Sequence, residues 1–266
     1  MMTFKLGRKP PLFAPRHMRA SLLVNQMLAS FGPPPPASQD FMPAMQKAGV
    51  KFQMFLNDTL GDCTAADCGN ALIWRSAAAG KPIVPTTADV LGVYEGSAGY
   101  VPTDPNNPQT NATDQGADEN TVCAYMISHG IAGHKATATA PIIAGAMDAG
   151  ALDRLRWGII IFGGVRLGVN LPNSAETQTD QGQPWSLAGD RTIVGGHDVF
   201  ATNYDPSMFY SATWGQRQAI EPDWLTTFCE EAHAEIWPIF VRPSGTTPTG
   251  FHEATLIRDL QALAAA

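Results

Sequence analysis

Hydrophobic periodicity changes partway along the chain, and that change limits the architectures open to it. Before residue 162 the apolar residues recur at helical spacing; after Val165 they alternate. Cys63 to about Ala79 reads as a helix, with Asp62 as N-cap, Gly80 as stop and Pro82 beyond it. Small residues near its start (Ala65, Gly69) suit a buried central helix that other elements approach closely. Further helices are expected over Thr87–Gly96, Glu119–Ser128 and Ala151–Phe162, with a long polar loop from Val101 to Asp118. Strands are expected over Val165–Leu171, with one face polar, and over Asp198–Tyr204 and Met208–Trp214, turning at Asp205-Pro206. A helix over Pro222–Ala232, a strand over Glu235–Val241 and a short amphipathic helix over Ala254–Leu263 complete the reading. Helices first and strands later predict an α+β fold rather than a doubly wound sheet.

Residues 1–50 form a separate arm. It carries Lys5, Arg8, Lys9, Arg16 and Arg19, then the extended run Pro33–Pro36. Such an arm is either a strap over the core or a docking segment for a partner. The core spans 51–241 and a C-terminal tail 242–266.

A net charge of −7 lacks the basic footprint of a nucleic-acid binder. The best apolar run, Trp157–Val165, is too short to span a membrane, and neither Met1–Lys9 nor Ser21–Val24 leads into a signal-peptide core. The expected compartment is the cytoplasm, or a particle into which the protein is packed. Four cysteines in 266 residues do not build a disulfide framework, and Cys63 and Cys68 lack zinc-site spacing. No metal or cofactor is expected.

Two positions carry potential chemistry. Cys63 stands at a helix start, where the helix dipole favours a thiolate, although the adjacent Asp62 opposes it. Cys68, five residues on, points elsewhere and reads as core. His197 follows two glycines and leads into a strand, and it lies 134 residues after Cys63 (63 to 197). An early cysteine with a histidine about 130–150 residues later is one arrangement of a thiol nucleophile and its general base. Asn57, just ahead of the cysteine, is placed to donate to an oxyanion. The other histidines, His17, His129, His134, His233 and His252, read as surface or capping residues, with His233 on a polar helix.

Over residues 50–241 these features resemble the papain-like cysteine peptidases. Gly61-Asp62-Cys63 is similar to that family's nucleophile turn, and its Asp-Cys step to the related bacteriocin-processing peptidases. Asn57 stands where the family has its oxyanion glutamine, one methylene shorter. Asp114-Gln115-Gly116 through His129-Gly130-Ile131 resembles the family's Gly-rich turn, helix and Tyr-Gly-Ile passage, and Gly164–Leu171 its Gly-Pro-Val-Ser-Val strand. Gly196-His197-Asp198-Val199 resembles the histidine segment, and Thr213-Trp214-Gly215 the Ser-Trp-Gly triplet. The family's orienting asparagine is Ala212 here, with Ser211 and Thr213 as replacement donors, and the Cys-Gly-Ser-Cys-Trp signature is absent. The resemblance implies two lobes, a helical lobe with a central nucleophile helix packed on an antiparallel β-sheet or barrel lobe. It also implies hydrolysis of a peptide or amide bond, with Cys63 attacking, His197 as base, Asn57 at the oxyanion and Trp214 shielding the histidine side. Acyl transfer such as transglutamination uses the same thiol chemistry. Lys5–Pro10 and Gly250–Leu263 resemble uncharacterised papain-like proteins of bacteriophages and prophages. That likeness implies a setting, and Ala212, Asp62 and the basic, proline-rich arm suggest an alternative function there: a catalytically weak or inactive scaffold serving as a virion-associated structural or adaptor protein, with residues 1–50 contacting phage structural proteins.

Overall fold

The computed structural model describes residues 4–12 and 34–258. Arg16, Arg19, His17 and Pro33 lie outside them, as do residues 259–263 of the expected terminal helix; residues 253–258 are helical.

Helix α1 (Met42–Ala48) leads into α2 (Cys63–Ala78), then α3 (Thr87–Ala98) and α4 (Glu119–Ser128). Both α3 and α4 begin where side chains satisfy free N–H groups: Thr86 and Asp89 form a capping box, and Asp118 accepts from the Thr121 amide. Every residue of α2 from Cys63 to Ala77 is buried. At Gly69 a β-carbon would fall 2.7 Å from the Phe55 ring and 2.8 Å from Val90, so the small residue permits the close packing.

The second half holds β1 (Ala138–Ala144), α5 (Ala151–Phe162), β2 (Val165–Pro172), α6 (Asn173–Asp180), β3 (Ile193–Tyr204), β4 (Phe209–Thr213), β5 (Gln216–Ile220), α7 (Pro222–Phe228) and β6 (Cys229–Ile236). They build one antiparallel sheet in the order β1-β6-β2-β3-β4-β5. The α+β architecture is as expected.

Two apolar cores flank the sheet. One joins α2, α3 and α4 to Phe200 and Ala212. The other joins Val199 and Ala201 of β3 to α5, α7 and three tryptophans, Trp185, Trp214 and Trp224. Consecutive β3 residues therefore face opposite lobes, as the strand period requires.

Several local expectations fail for identifiable reasons. Strand β2 is buried on both faces, because its polar residue Arg166 points into the lobe interface. The helix expected over Pro222–Ala232 stops at Phe228, and Cys229–Ile236 is strand, beginning six residues before the expected Glu235. The charges there follow a two-residue period: Glu231, His233 and Glu235 share one face, where arginines receive Glu231 and Glu235. His233 is consequently buried on β6, not exposed on a helix. His197 does not open a strand; it is the fifth residue of β3 and is fully buried.

Arginines pin the lobes together. Arg75 of α2 donates to Glu235 at 3.0 Å and to the carbonyls of Phe162 and Gly164. Arg166 of β2 donates to Asp198 at 2.6 Å, to the Thr64 carbonyl and to the Cys68 sulfur, and lies 3.4 Å from Asp67. Cys68 is buried as expected, though beneath a cation rather than in hydrocarbon alone. Burial pushes the Asp198 carboxyl up to about 6 against the pull of Arg166.

Candidate active site

Cys63 is the first residue of α2, a helix packed against β3. The backbone N–H groups of Asp198 and Gly7 act to lower its pKa. Burial, with the carboxyls of Asp198 and Asp62 nearby, pushes the thiol up to about 12, so it is protonated in this state. Asp62 does not cap the helix with its side chain. Its carboxyl accepts instead from the Asn57 amide at 3.3 Å, and burial raises its pKa well above the ordinary range. The predicted cap fails because Asp62 is itself in a turn conformation (φ −100°, ψ 18°) and sealed from water. Asn57 follows two residues with left-handed backbone, Phe55 (φ 53°) and Leu56 (φ 71°), a costly arrangement that surrounding packing must hold. Its amide faces Asp62 here.

The turn before Cys63 is anchored by Asp114, the first residue of the Asp114-Gln115-Gly116 turn. Asp114 accepts from the Gly61 amide at 2.9 Å and from the Tyr94 hydroxyl at 2.6 Å. The expected long loop thus sends a buried carboxylate under the nucleophile turn.

His197 is held from two sides. Its Nε2 lies 2.7 Å from Thr213 Oγ1, and its ring stacks on Trp214 at 4.5 Å with the planes 18° apart. Ser211 makes no such contact; its hydroxyl is buried without a partner among the described residues. Trp214 and Gly215 form the two-residue turn between β4 and β5, both with positive φ (46° and 71°), the geometry of a tight primed hairpin. A tryptophan tolerating that backbone is unusual, and the turn is what swings the indole onto the imidazole. Among the described residues His197 Nδ1 has no hydrogen-bond partner. Burial, aided by the positive charge of Arg8, lowers the imidazole to about 3, so the ring is neutral. No hydrogen bond joins it to the Cys63 sulfur; the carboxyl of Asp198, the residue after His197, bears on that thiol electrostatically.

Residues 4–9 close the gap. The Arg8 amide donates to the Gly196 carbonyl at 3.1 Å, Ala117 donates to the Gly7 carbonyl at 2.9 Å, and Lys9 donates to Ala117 at 2.8 Å. Phe4 stacks on Trp214 at 4.0 Å. Glycines make the passage possible. A β-carbon on Gly7 would sit 1.7 Å from the Gly61 carbonyl oxygen, and one on Gly196 would sit 2.3 Å from the Arg8 carbonyl oxygen. Of the two readings of the arm, these residues behave as a strap.

Arg8, Glu119, Glu231 and His233 also escaped the sequence reading. The two-residue spacing of Glu231, His233 and Glu235 was the available signal. Glu119, Glu231 and His233 present ligand atoms within 4.8 Å of one another, a set of donors a divalent cation accepts. In this arrangement the Arg8 guanidinium supplies the positive charge.

A buried helix headed by a cysteine and packed against an antiparallel sheet is also found among solved structures. Xylellain, a cysteine protease from Xylella fastidiosa, superposes with a TM-score of 0.57 over 89% of this chain and 98% of that one, at 13% identity. The fold is papain-like. A procathepsin B from Trypanosoma congolense matches with a TM-score of 0.52 at 11% identity, covering 88% of this chain and 86% of its own. A cysteine protease from Carica candamarcensis, in complex with E-64, matches at 0.50 and 14% identity, covering 76% and 98%. No family model and no curated protein sequence matches the chain. Within the papain-like fold α2 is the central helix of the helical lobe, and β3 faces it from the sheet. No described helix is long and apolar enough to cross a membrane.

Proposed function

We propose that this protein is a papain-like cysteine hydrolase of peptide or amide bonds, held closed by its own residues 4–9. The observation that supports the reading is Cys63 at the start of α2, its thiol influenced by Asp198, beside His197 in sequence, whose ring is held by Thr213 and Trp214. When the strap leaves, water reaches both groups; the thiol pKa falls and the imidazole pKa rises toward their ordinary values. His197 then takes the Cys63 proton and the thiolate attacks a substrate carbonyl. The oxyanion receives the Cys63 amide and the Asn57 side chain, once that side chain turns from Asp62. The imidazolium protonates the leaving amine, and water cleaves the thioester with His197 as base. Thr213 replaces asparagine as the group orienting the ring. Peptides are the substrates; hydrolysis and transfer to a second amine share the first half of this path.

The test is hydrolysis of a fluorogenic peptide pool by the full chain carrying Gly7→Ala, which loosens the strap. Turnover that vanishes with Cys63→Ala supports the reading; no turnover, or turnover indifferent to Cys63, refutes it.

The sealed thiol favours one alternative, a scaffold without activity that docks phage structural proteins through residues 1–50. Under that reading Cys63→Ala leaves biological function intact.

A further inference from the structure

The Arg8 side chain is 1% exposed and fills a pocket built by three elements. One guanidinium nitrogen donates to Glu231 at 2.6 Å; the other donates to Glu230 at 2.7 Å and to Asn170 at 3.2 Å. Asn170 is itself oriented by donating to the second oxygen of Glu230 at 2.9 Å. Behind Glu231 stand His233, 3.4 Å away, and Glu119, whose two buried oxygens have no hydrogen-bond partner among the described residues. The floor is Gly168, where a β-carbon would lie 2.4 Å from Glu231 Cγ and 2.6 Å from Glu119 Oε1. Any side chain there would displace both carboxyls.

The walls belong to α4, β2 and β6, so they remain when the strap departs. What departs is the cation. Three carboxyl groups then share a pocket whose core neighbour, Arg166, is already hydrogen-bonded to Asp198 and Thr64. An unpaired buried acid cluster of this kind is costly and attracts a replacement cation. Acceptors spread over two carboxylates and an amide oxygen match a planar guanidinium better than a compact ammonium. The neighbouring position is equally selective: against Gly61 only glycine fits, and Gly7 lies beside the Cys63 sulfur. The strap lays its backbone against the turn that leads into Cys63.

We propose that the pocket filled by Arg8 is a specificity pocket for a peptide arginine, so that substrates with a Gly-Arg step displace the strap by placing their guanidinium against Glu231 and Glu230. This rests on the hydrolase reading for the word substrate; the pocket itself is tested by binding alone. The probe is a fluorescein-labelled Ala-Ala-Gly-Arg-Ala-Ala peptide, compared with its citrulline counterpart, which keeps the shape and loses the charge. The protein is the full chain carrying Arg8→Ala. Arginine should bind at least about tenfold more tightly than citrulline, and Glu230→Gln added to that chain should shrink the ratio. Should Arg8→Ala fail to fold, Arg8→Lys weakens the strap while keeping a cation in place, and the same ratio is read. Equal affinity for the two peptides overturns the proposal. Preferential arginine binding with no cleavage of any peptide leaves the pocket standing and defeats the hydrolase reading. Cleavage indifferent to arginine does the reverse.

Discussion

Thr213 Oγ1 lies 2.7 Å from His197 Nε2, in the place where a papain-like sequence leads one to look for an asparagine two residues before the tryptophan. The hydroxyl comes from the next position, Thr213 rather than Ala212, because the hairpin turn at Trp214 brings the end of β4 under the ring. If Thr213 positions the base, Thr213→Ala should lower kcat on a peptide substrate by at least about tenfold, roughly 1.4 kcal/mol, with KM little changed. Thr213→Ser should recover most of the loss. A purely structural role would lower Tm without that rescue.

The strap is held by backbone contacts that exclude a β-carbon, so Gly7→Ala should dislodge it. The expected result is peptide hydrolysis by the full chain rising about tenfold or more over wild type, as the fraction of open molecules increases. An unchanged rate would mean that residues 4–9 do not gate the cleft.

Acid should destabilise the closed state through His197. Its imidazole is held down to about 3 in the folded protein, against an ordinary 6.5. Between those values the unfolded chain binds a proton that the folded chain refuses, so stability is present above 6.5 and is lost as pH falls toward 3. Asp198, raised from 3.8 to about 6, works in the opposite sense: its contribution is present below 3.8 and is lost as pH rises through 6. His197→Gln removes only the first effect. Urea unfolding across this window should therefore give a wild-type stability that falls with acid more steeply than the variant's, by up to about 1.4 kcal/mol per pH unit.

Arg166 neutralises carboxylates from both lobes, Asp67 of α2 and Asp198 of β3. Arg166→Ala leaves them buried and unpaired, and should cost about 3–5 kcal/mol in denaturant unfolding. A cost under 1 kcal/mol would mean that the interface carries little of the fold's stability.

Elements that satisfy their own ends were legible in the sequence. Glu119–Ser128 begins with Asp118 capping the Thr121 amide, and its expected bounds match those observed. Elements whose polar residues are satisfied from a distance were misread. Cys229–Ile236 carries three glutamates and a histidine and looks helical, but Glu231 is met by Arg8 from 223 positions away, and Glu235 by Arg75. Nothing local announces such partners. Strand β5, Gln-Arg-Gln-Ala-Ile, is too short and polar to show an alternation of its own; its pairing with β4 creates it. The Cys63 and His197 segments were readable as family-like motifs. Their burial was not, because the cover comes from residues 4–9, whose glycine is informative only beside Gly61.

The most direct measurement is the rate at which iodoacetamide labels each cysteine in the full Gly7→Ala chain, followed by mass spectrometry with and without His197→Ala. Cys63 should react fastest, ahead of Cys68, Cys123 and Cys229, and should slow when the imidazole is removed. Four equal rates, or a Cys63 rate that ignores His197, would contradict a nucleophile and base paired beneath the strap.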